Sequence, residues 1–149
     1  MNKDGLKLRG DLGLVLRDKD GNIKEERTEK NLIVSAGLNF ICDRMEGTSE
    51  AVMSHMAVGS GSTAAAAGDT DLGSILGSRE ALDSTTVSTN TITYVSSFEA
   101  GDGTGAITEA GIFNASTGGT MLCRTVFSVI NKAADDTLQI TWTITLSAS

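Results

Sequence analysis

Few residues of this chain have the type and spacing to do chemistry. His55 is the lone histidine, flanked by Ser54 and Met56, and a serine, a histidine and an aspartate are the parts of an acyl-transfer triad. Such a serine is usually presented from a Gly-x-Ser-x-Gly elbow between strand and helix, and the sequence contains no such elbow. His55 is therefore expected to be a structural or interface residue. Glu109 lies in Thr108-Glu109-Ala110-Gly111-Ile112-Phe113, where a lone carboxylate without a convergent second one makes no acid–base pair. Its expected role is a cross-strand ion pair with Arg124, fixing the register of two strands. Gly59-Ser60-Gly61-Ser62-Thr63 has the glycines of a phosphate loop but not its lysine. Gly101-Asp102-Gly103-Thr104-Gly105 precedes a strand pattern, so no helix N-terminus would meet a pyrophosphate. Asp18, Asp20, Asn22 and Glu29 match four ligand positions of a calcium loop, but Ile23 stands where that loop needs glycine. The acidic pairs at 69–71 and 135–136 read as solvated turns. The sequence thus assigns no catalytic residue, no cofactor and no metal.

The elements that position these residues are mostly strands. Leu138, Ile140, Trp142, Ile144 and Leu146 alternate with Gln139, Thr141, Thr143 and Thr145, a period of two that buries one face and wets the other. The only Trp, with Ile140 and Ile144, is expected at the centre of the core. Leu6, Leu8, Leu12, Leu14 and Leu16 predict a long first strand with a bend or bulge at Gly10. The Asp-Gly signal at residues 20–21 then turns it into a charged return strand, a solvated hairpin guarding a sheet edge. Ser35 is expected to cap a helix over 35–46 that packs through Leu38, Ile41, Cys42 and Met45 and stops at Gly47. Residues 54–59 read as a short strand, 60–71 as a small-residue loop, 72–76 as a helical turn and 79–82 as another short strand. Ile92, Tyr94 and Phe98 fall on one side of a further strand, and a hairpin through 116–119 joins strands carrying Phe113 and Arg124. Tyr94, Phe98 and Phe113 are expected in the core beside Trp142.

Together these predict a mainly β chain, an antiparallel β-sandwich or jelly-roll-like single domain with an N-terminal hairpin and one short α-helix. The single domain spans 1–149, with a hairpin arm at 1–34, the helix at 35–46 and the sandwich strands at 54–149. A chain of 149 residues buries roughly 70% of its unfolded surface without staples. Cys42 and Cys123 sit among apolar residues and are expected to be buried thiols of a protein assembled in a reducing cytosol. A net charge of −7 disfavours nucleic acid. The basic residues of the first third interleave with acids and lack aromatic company. Neither a secretory signal nor an apolar run of membrane-span length is read, so no membrane partner is expected.

Three segments carry a resemblance. His55-Met-Ala-Val-Gly-Ser-Gly-Ser-Thr63, Ile107-Thr-Glu-Ala-Gly-Ile-Phe-Asn114 and Arg124-Thr-Val-Phe-Ser-Val-Ile-Asn-Lys132, with the closing threonine-rich strand, resemble small virion structural proteins of tailed bacteriophages. With the opening hairpin and the segment from Asn31 to Met45, the resemblance covers most of the chain, and its motifs are packing and turn motifs. It implies a capsid decoration or cement protein, not an enzyme, that binds the major capsid protein at the virion surface after assembly in the host cytoplasm. The loop at 60–71 and the charged hairpin are the expected contact surfaces, and the C-terminal strands the expected site of self-association into a dimer or trimer. The alternatives are a tail, collar or fibre component and a carbohydrate-binding module. The latter would need an exposed aromatic platform, which Trp142 and Tyr94 on core faces would not provide.

Overall fold

Period-two alternation dominates the chain, and the backbone answers it with strands. The computed structural model describes residues 5–47 and 50–148. In chain order its elements are β1 (Leu6–Arg17), β2 (Ile23–Lys30), β3 (Leu32–Ile33), α1 (Ser35–Glu46), β4 (His55–Gly59), β5 (Glu80–Ala81), β6 (Ser84–Ser88), β7 (Thr91–Phe98), β8 (Gly105–Phe113), β9 (Met121–Lys132) and β10 (Thr137–Ala148). They form two five-stranded antiparallel sheets. Sheet A runs β2-β1-β10-β7-β6 and sheet B runs β3-β9-β8-β4-β5. The architecture is a β-sandwich.

The inward face of β10 organises the core. Leu138, Ile140, Trp142 and Ile144 are buried. In register beside the first three lie Leu16, Leu14 and Leu12 of β1, and on the other flank Phe98, Ser96, Tyr94 and Ile92 of β7 face the four. Sheet B answers with Met56, Val58, Ile107, Ile112 and Ile130. Each such side chain, fully buried, contributes roughly 1.5–3 kcal/mol. The indole Nε1–H of Trp142 donates to Asn31 Oδ1 at 3.0 Å, meeting the one polar demand of that ring.

Several expectations are corrected. Gly10 makes no bend or bulge, because β1 pairs with β10 without a break from Leu6 to Arg17. Glycine is needed there for a close approach, since a Cβ would lie 1.6 Å from Asn31 Oδ1. Ser35 does not cap α1. The N-cap is Val34, with no side-chain cap, and the Ser35 N–H donates to the Ala67 carbonyl at 2.8 Å, so the loop does what a capping side chain would do. Of the expected helix face only Ile41 packs against the core. Gly37 and Phe40 are buried, whereas Met45 is 83% exposed and Leu38 and Cys42 are exposed. The reason is Gly37, where a Cβ would come within 2.1 Å of the Leu122 carbonyl. This close approach at Gly37, with the Phe40 side chain buried on the same side, turns Leu38 and Met45 outward. Of the two thiols, only Cys123 is buried. Residues 72–76 form no helical turn. Ile75 instead bridges Gly59, and the Leu76 N–H donates to the Val58 carbonyl.

Gly47, at φ 84°, does end the helix, its N–H donating to Asp43 and Arg44. The 18–22 turn is closed by Asp18, whose Oδ1 accepts from the Asp20 and Asn22 N–H groups at 2.9 Å. Of the C-terminal strands, β10 lies between β1 and β7 and β8 between β9 and β4, while the outer side of β9 is paired with a strand only at Cys123 and Arg124. The outer strands of the two sheets are β2, β6, β3 and β5.

Candidate functional site

A second apolar cluster lies on the outer face of sheet B. Val34, Ala57, Phe113 and Met121 are buried there, with Ala36 and Leu72 packed against them. Phe113 is thus buried as the sequence suggests, but on the opposite face of β8 from Ile112, which belongs to the inter-sheet core. What covers this face is the loop from Ser60 to Arg79. Leu72 lies against Gly111, where a Cβ would meet its Cδ2 at 3.1 Å. The Arg79 guanidinium stacks 3.5 Å over the Phe113 ring, and its Nη1 donates to the carbonyls of Ala115 and Gly118.

At the centre of the covered face are Glu109 and Arg124, 0% and 3% exposed. Alternation on β8 puts Glu109 on the same face as Phe113, and the hairpin brings β9 alongside. The register sets Glu109 opposite Val126 and Arg124 opposite Gly111, so the two meet on a diagonal. Arg124 Nε and Nη2 donate to Glu109 Oε2 at 3.0 and 2.8 Å.

The carboxylate then collects three backbone donors from the loop. Its Oε1 accepts from the Gly61 and Ser74 N–H groups at 2.9 and 2.8 Å, and its Oε2 from Gly73 at 2.9 Å. Arg124 Nη1 reaches Asp69 at 2.8 Å and Nη2 the Thr63 carbonyl at 3.0 Å. Asp69 accepts from the Ala66 N–H, and Thr108 Oγ1 donates to the Gly61 carbonyl. Glycine is required at the loop positions that pass the carboxylate: a Cβ at Gly59 or Gly61 would lie 2.5 Å from Oε1. Burial pushes the Glu109 carboxyl up. The N–H groups of Gly73 and Ser74, the Arg124 guanidinium and the Gly61 N–H outweigh it and hold the group below its ordinary value. Burial alone would lower Arg124, but Glu109 and Asp69 leave it raised. The pair is charged, and both oxygens of Glu109 are taken by internal donors. It can neither accept a substrate proton nor attack.

The structure therefore joins the Glu109–Arg124 pair, expected from the sequence as a cross-strand ion pair, to the Gly59–Thr63 glycine loop, which was read as a separate feature. A glycine-rich loop cradling an anion is the phosphate-loop principle; here the anion is the protein's own carboxylate. The loop is ordered against its own sheet. Asp69, read from the sequence as part of a solvated turn, is instead paired with Arg124, and the covering role of residues 60–79 was missed; the usable signal was the spacing of Gly59 and Gly61 beside one isolated glutamate.

The other candidates stay apart. His55 Nδ1 contacts Ser54 Oγ at 2.8 Å, and no carboxylate partner of His55 is found among the described residues. Asp136 accepts from Lys24 at 2.7 Å and from the Ala133 N–H, and Glu29 lies 3.8 Å from Arg27. Among the described residues no group of three or more His, Cys, Asp or Glu side chains could hold a metal. Two further buried polar groups had no sequence signal. Asn114 donates to Glu50 and Ala51 while accepting from the Thr120 N–H, and Lys132, 2% exposed, donates to the Glu99 carbonyl.

Comparison of the chain with family models, with curated proteins and with solved structures finds no match. The functional reading accordingly rests on the residues themselves and their geometry.

Proposed function

We propose that this chain is a non-enzymatic virion structural protein of a tailed bacteriophage, a capsid decoration or cement module that binds the shell of the major capsid protein and stabilises it. One observation supports the reading above others. The three segments that carry the resemblance meet in space: Gly59 and Gly61 come from the first, Thr108 and Glu109 from the second and Arg124 from the third. They are spent on fixing one surface loop against one sheet. Fixing a loop before contact lowers the ordering cost of binding, which suits a protein whose work is adhesion. The charged edge strand β2, with Lys24, Glu25, Glu26, Arg27, Glu29 and Lys30, offers a second polar contact surface beside it. Trp142 and Tyr94 are buried, so neither supplies a sugar-stacking platform. No described helix is long and apolar enough to cross a membrane.

The test is the copy number of this protein in purified particles, by quantitative mass spectrometry against the major capsid protein and the portal. Abundance near that of the capsid protein is expected. Abundance near that of the portal would move the protein to the tail, collar or a fibre, and absence from the particle would overturn the virion reading.

A further inference from the structure

The two edges of sheet A are unlike. Strand β2 reads Ile-Lys-Glu-Glu-Arg-Thr-Glu-Lys, whereas β6 reads Ser-Thr-Thr-Val-Ser, with no charge, no proline and no bulge, and every residue exposed. Charges on an edge strand block pairing with other chains, and β6 lacks that protection. Its backbone is also oriented for pairing. Ser88 and Thr91 flank the two-residue turn Thr89-Asn90, the place of the hydrogen-bonded pair in a tight hairpin. Thr86 and Ser84 therefore turn their backbone groups to β7, and Thr85 and Val87 turn theirs to solvent. Beside β6 is a mainly apolar groove of about 310 Å³ lined by Phe40, Val52, Met53, Thr85, Ile92 and Tyr94, with Arg44 as its one charged residue. Val87, 68% exposed, stands next along the same face of the strand.

We infer that β6 is a dimerisation edge, pairing antiparallel with β6 of a second copy about a two-fold axis at Thr86 to make a continuous ten-stranded sheet. The occupant is chosen by self-complementarity. In this register Ser84 faces Ser88 of the second copy, and Val87 faces Thr85 of the second copy, which lines the groove. The exposed apolar side chain of each copy thereby enters the groove of the other, the reciprocal contact that a two-fold interface requires. The paired strands bring no like charges together, and the net charge of −7 acts across distances that physiological salt screens beyond about 8 Å. The inference does not rest on the virion reading.

Sedimentation velocity on the full chain is expected to show a species of twice the 15.4 kDa chain mass. Val87→Lys is expected to raise the dimer dissociation constant at least about tenfold, equivalent to about 1.4 kcal/mol. Register is tested separately by oxidation in a Cys42→Ser background. Thr86→Cys is expected to cross-link to itself, the two Cα atoms lying about 4.5 Å apart in a non-hydrogen-bonded pair. Ser84→Cys is not, since its two copies would stand about 13 Å apart. A wild-type chain that stays monomeric to about millimolar concentration, a dimer indifferent to Val87→Lys, or cross-linking at 84 as fast as at 86 would each overturn the proposal.

Discussion

Replacing Glu109 by glutamine changes one oxygen to an NH2 group and nothing in size, so its cost isolates the electrostatics of the clamp. In the wild type Oε1 accepts two N–H groups, from Gly61 and Ser74. A glutamine oxygen can keep these. The amide NH2 must then take the place of Oε2, which accepts from the Gly73 N–H and from Arg124 Nε and Nη2. Donors would face donors, and Arg124, 3% exposed, would be left with Asp69 as its only counter-charge. Removing one partner of a buried pair costs about 3–5 kcal/mol, a large share of the roughly 5–15 kcal/mol that holds a domain together. Glu109→Gln should therefore lower the melting temperature by roughly 6–20 °C, at about 2–4 °C per kcal/mol for a chain of this size. Urea unfolding followed by Trp142 fluorescence measures the loss. The double substitution Glu109→Leu with Arg124→Leu sharpens the test. Exchanging a whole buried pair for apolar groups is often neutral, but here it orphans the N–H groups of Gly61, Gly73 and Ser74, each at about 1–3 kcal/mol. The double variant should remain at least about 3 kcal/mol less stable than wild type. A loss below about 1 kcal/mol in Glu109→Gln, or wild-type stability in the double variant, would refute the clamp as described.

Shorter predictions concern the clamp and its loop, the indole contact and the two thiols. Glu109 is held below its ordinary 4.5 in the folded chain, so the unfolded state binds the extra proton. Its stabilisation is complete above pH 4.5 and lost as pH falls through the lower folded value; acid titration of unfolding should be steeper below pH 4.5 in wild type than in Glu109→Gln. Within the loop, Gly61→Ala should cost about 1–3 kcal/mol, its Cβ falling 2.5 Å from Oε1. Gly68→Ala, with nothing within 4 Å and no positive φ, should be neutral or stabilising by urea denaturation. Gly10→Ala should drive Asn31 off the Trp142 indole and shift the emission maximum of that single tryptophan, while leaving far-ultraviolet dichroism unchanged. A thiol reagent should titrate one cysteine in the native protein, the exposed Cys42, and the buried Cys123 only after unfolding.

What the sequence made legible was whatever period and turn chemistry dictate locally. Alternation placed Ile140, Trp142 and Ile144 inward, the Asp-Gly signal placed the first hairpin, and Gly47 ended the helix, because each depends on neighbours within a few residues. The face of α1 was not legible, since Leu38, Ile41, Cys42 and Met45 form an acceptable apolar stripe. Ile41 does pack against the core, and the choice against Leu38, Cys42 and Met45 is made by Gly37, through contact with Leu122 on a distant strand. Strand β6 escaped for a related reason: Ser84-Thr85-Thr86-Val87-Ser88 has no alternation to read, and it is a strand because β7 supplies a partner.

The clamp was half legible, and the missing half explains why the visible half exists. A glutamate and an arginine on adjacent strands suggest an ion pair, yet a pair on a solvated sheet face contributes only about 0–1 kcal/mol and would not account for either residue being buried. Burial is tolerated because the loop brings N–H groups to both carboxylate oxygens and Asp69 to the guanidinium. The loop in turn has few apolar side chains with which to hold itself down: Ser60, Gly61, Ser62 and Thr63 precede a run of alanines, and Leu72 is the side chain that joins the outer cluster. Each half supplies what the other lacks. The low-complexity composition that reads as a free loop is the composition that lets backbone donors reach the carboxylate, because a side chain at Gly59 or Gly61 would collide with it.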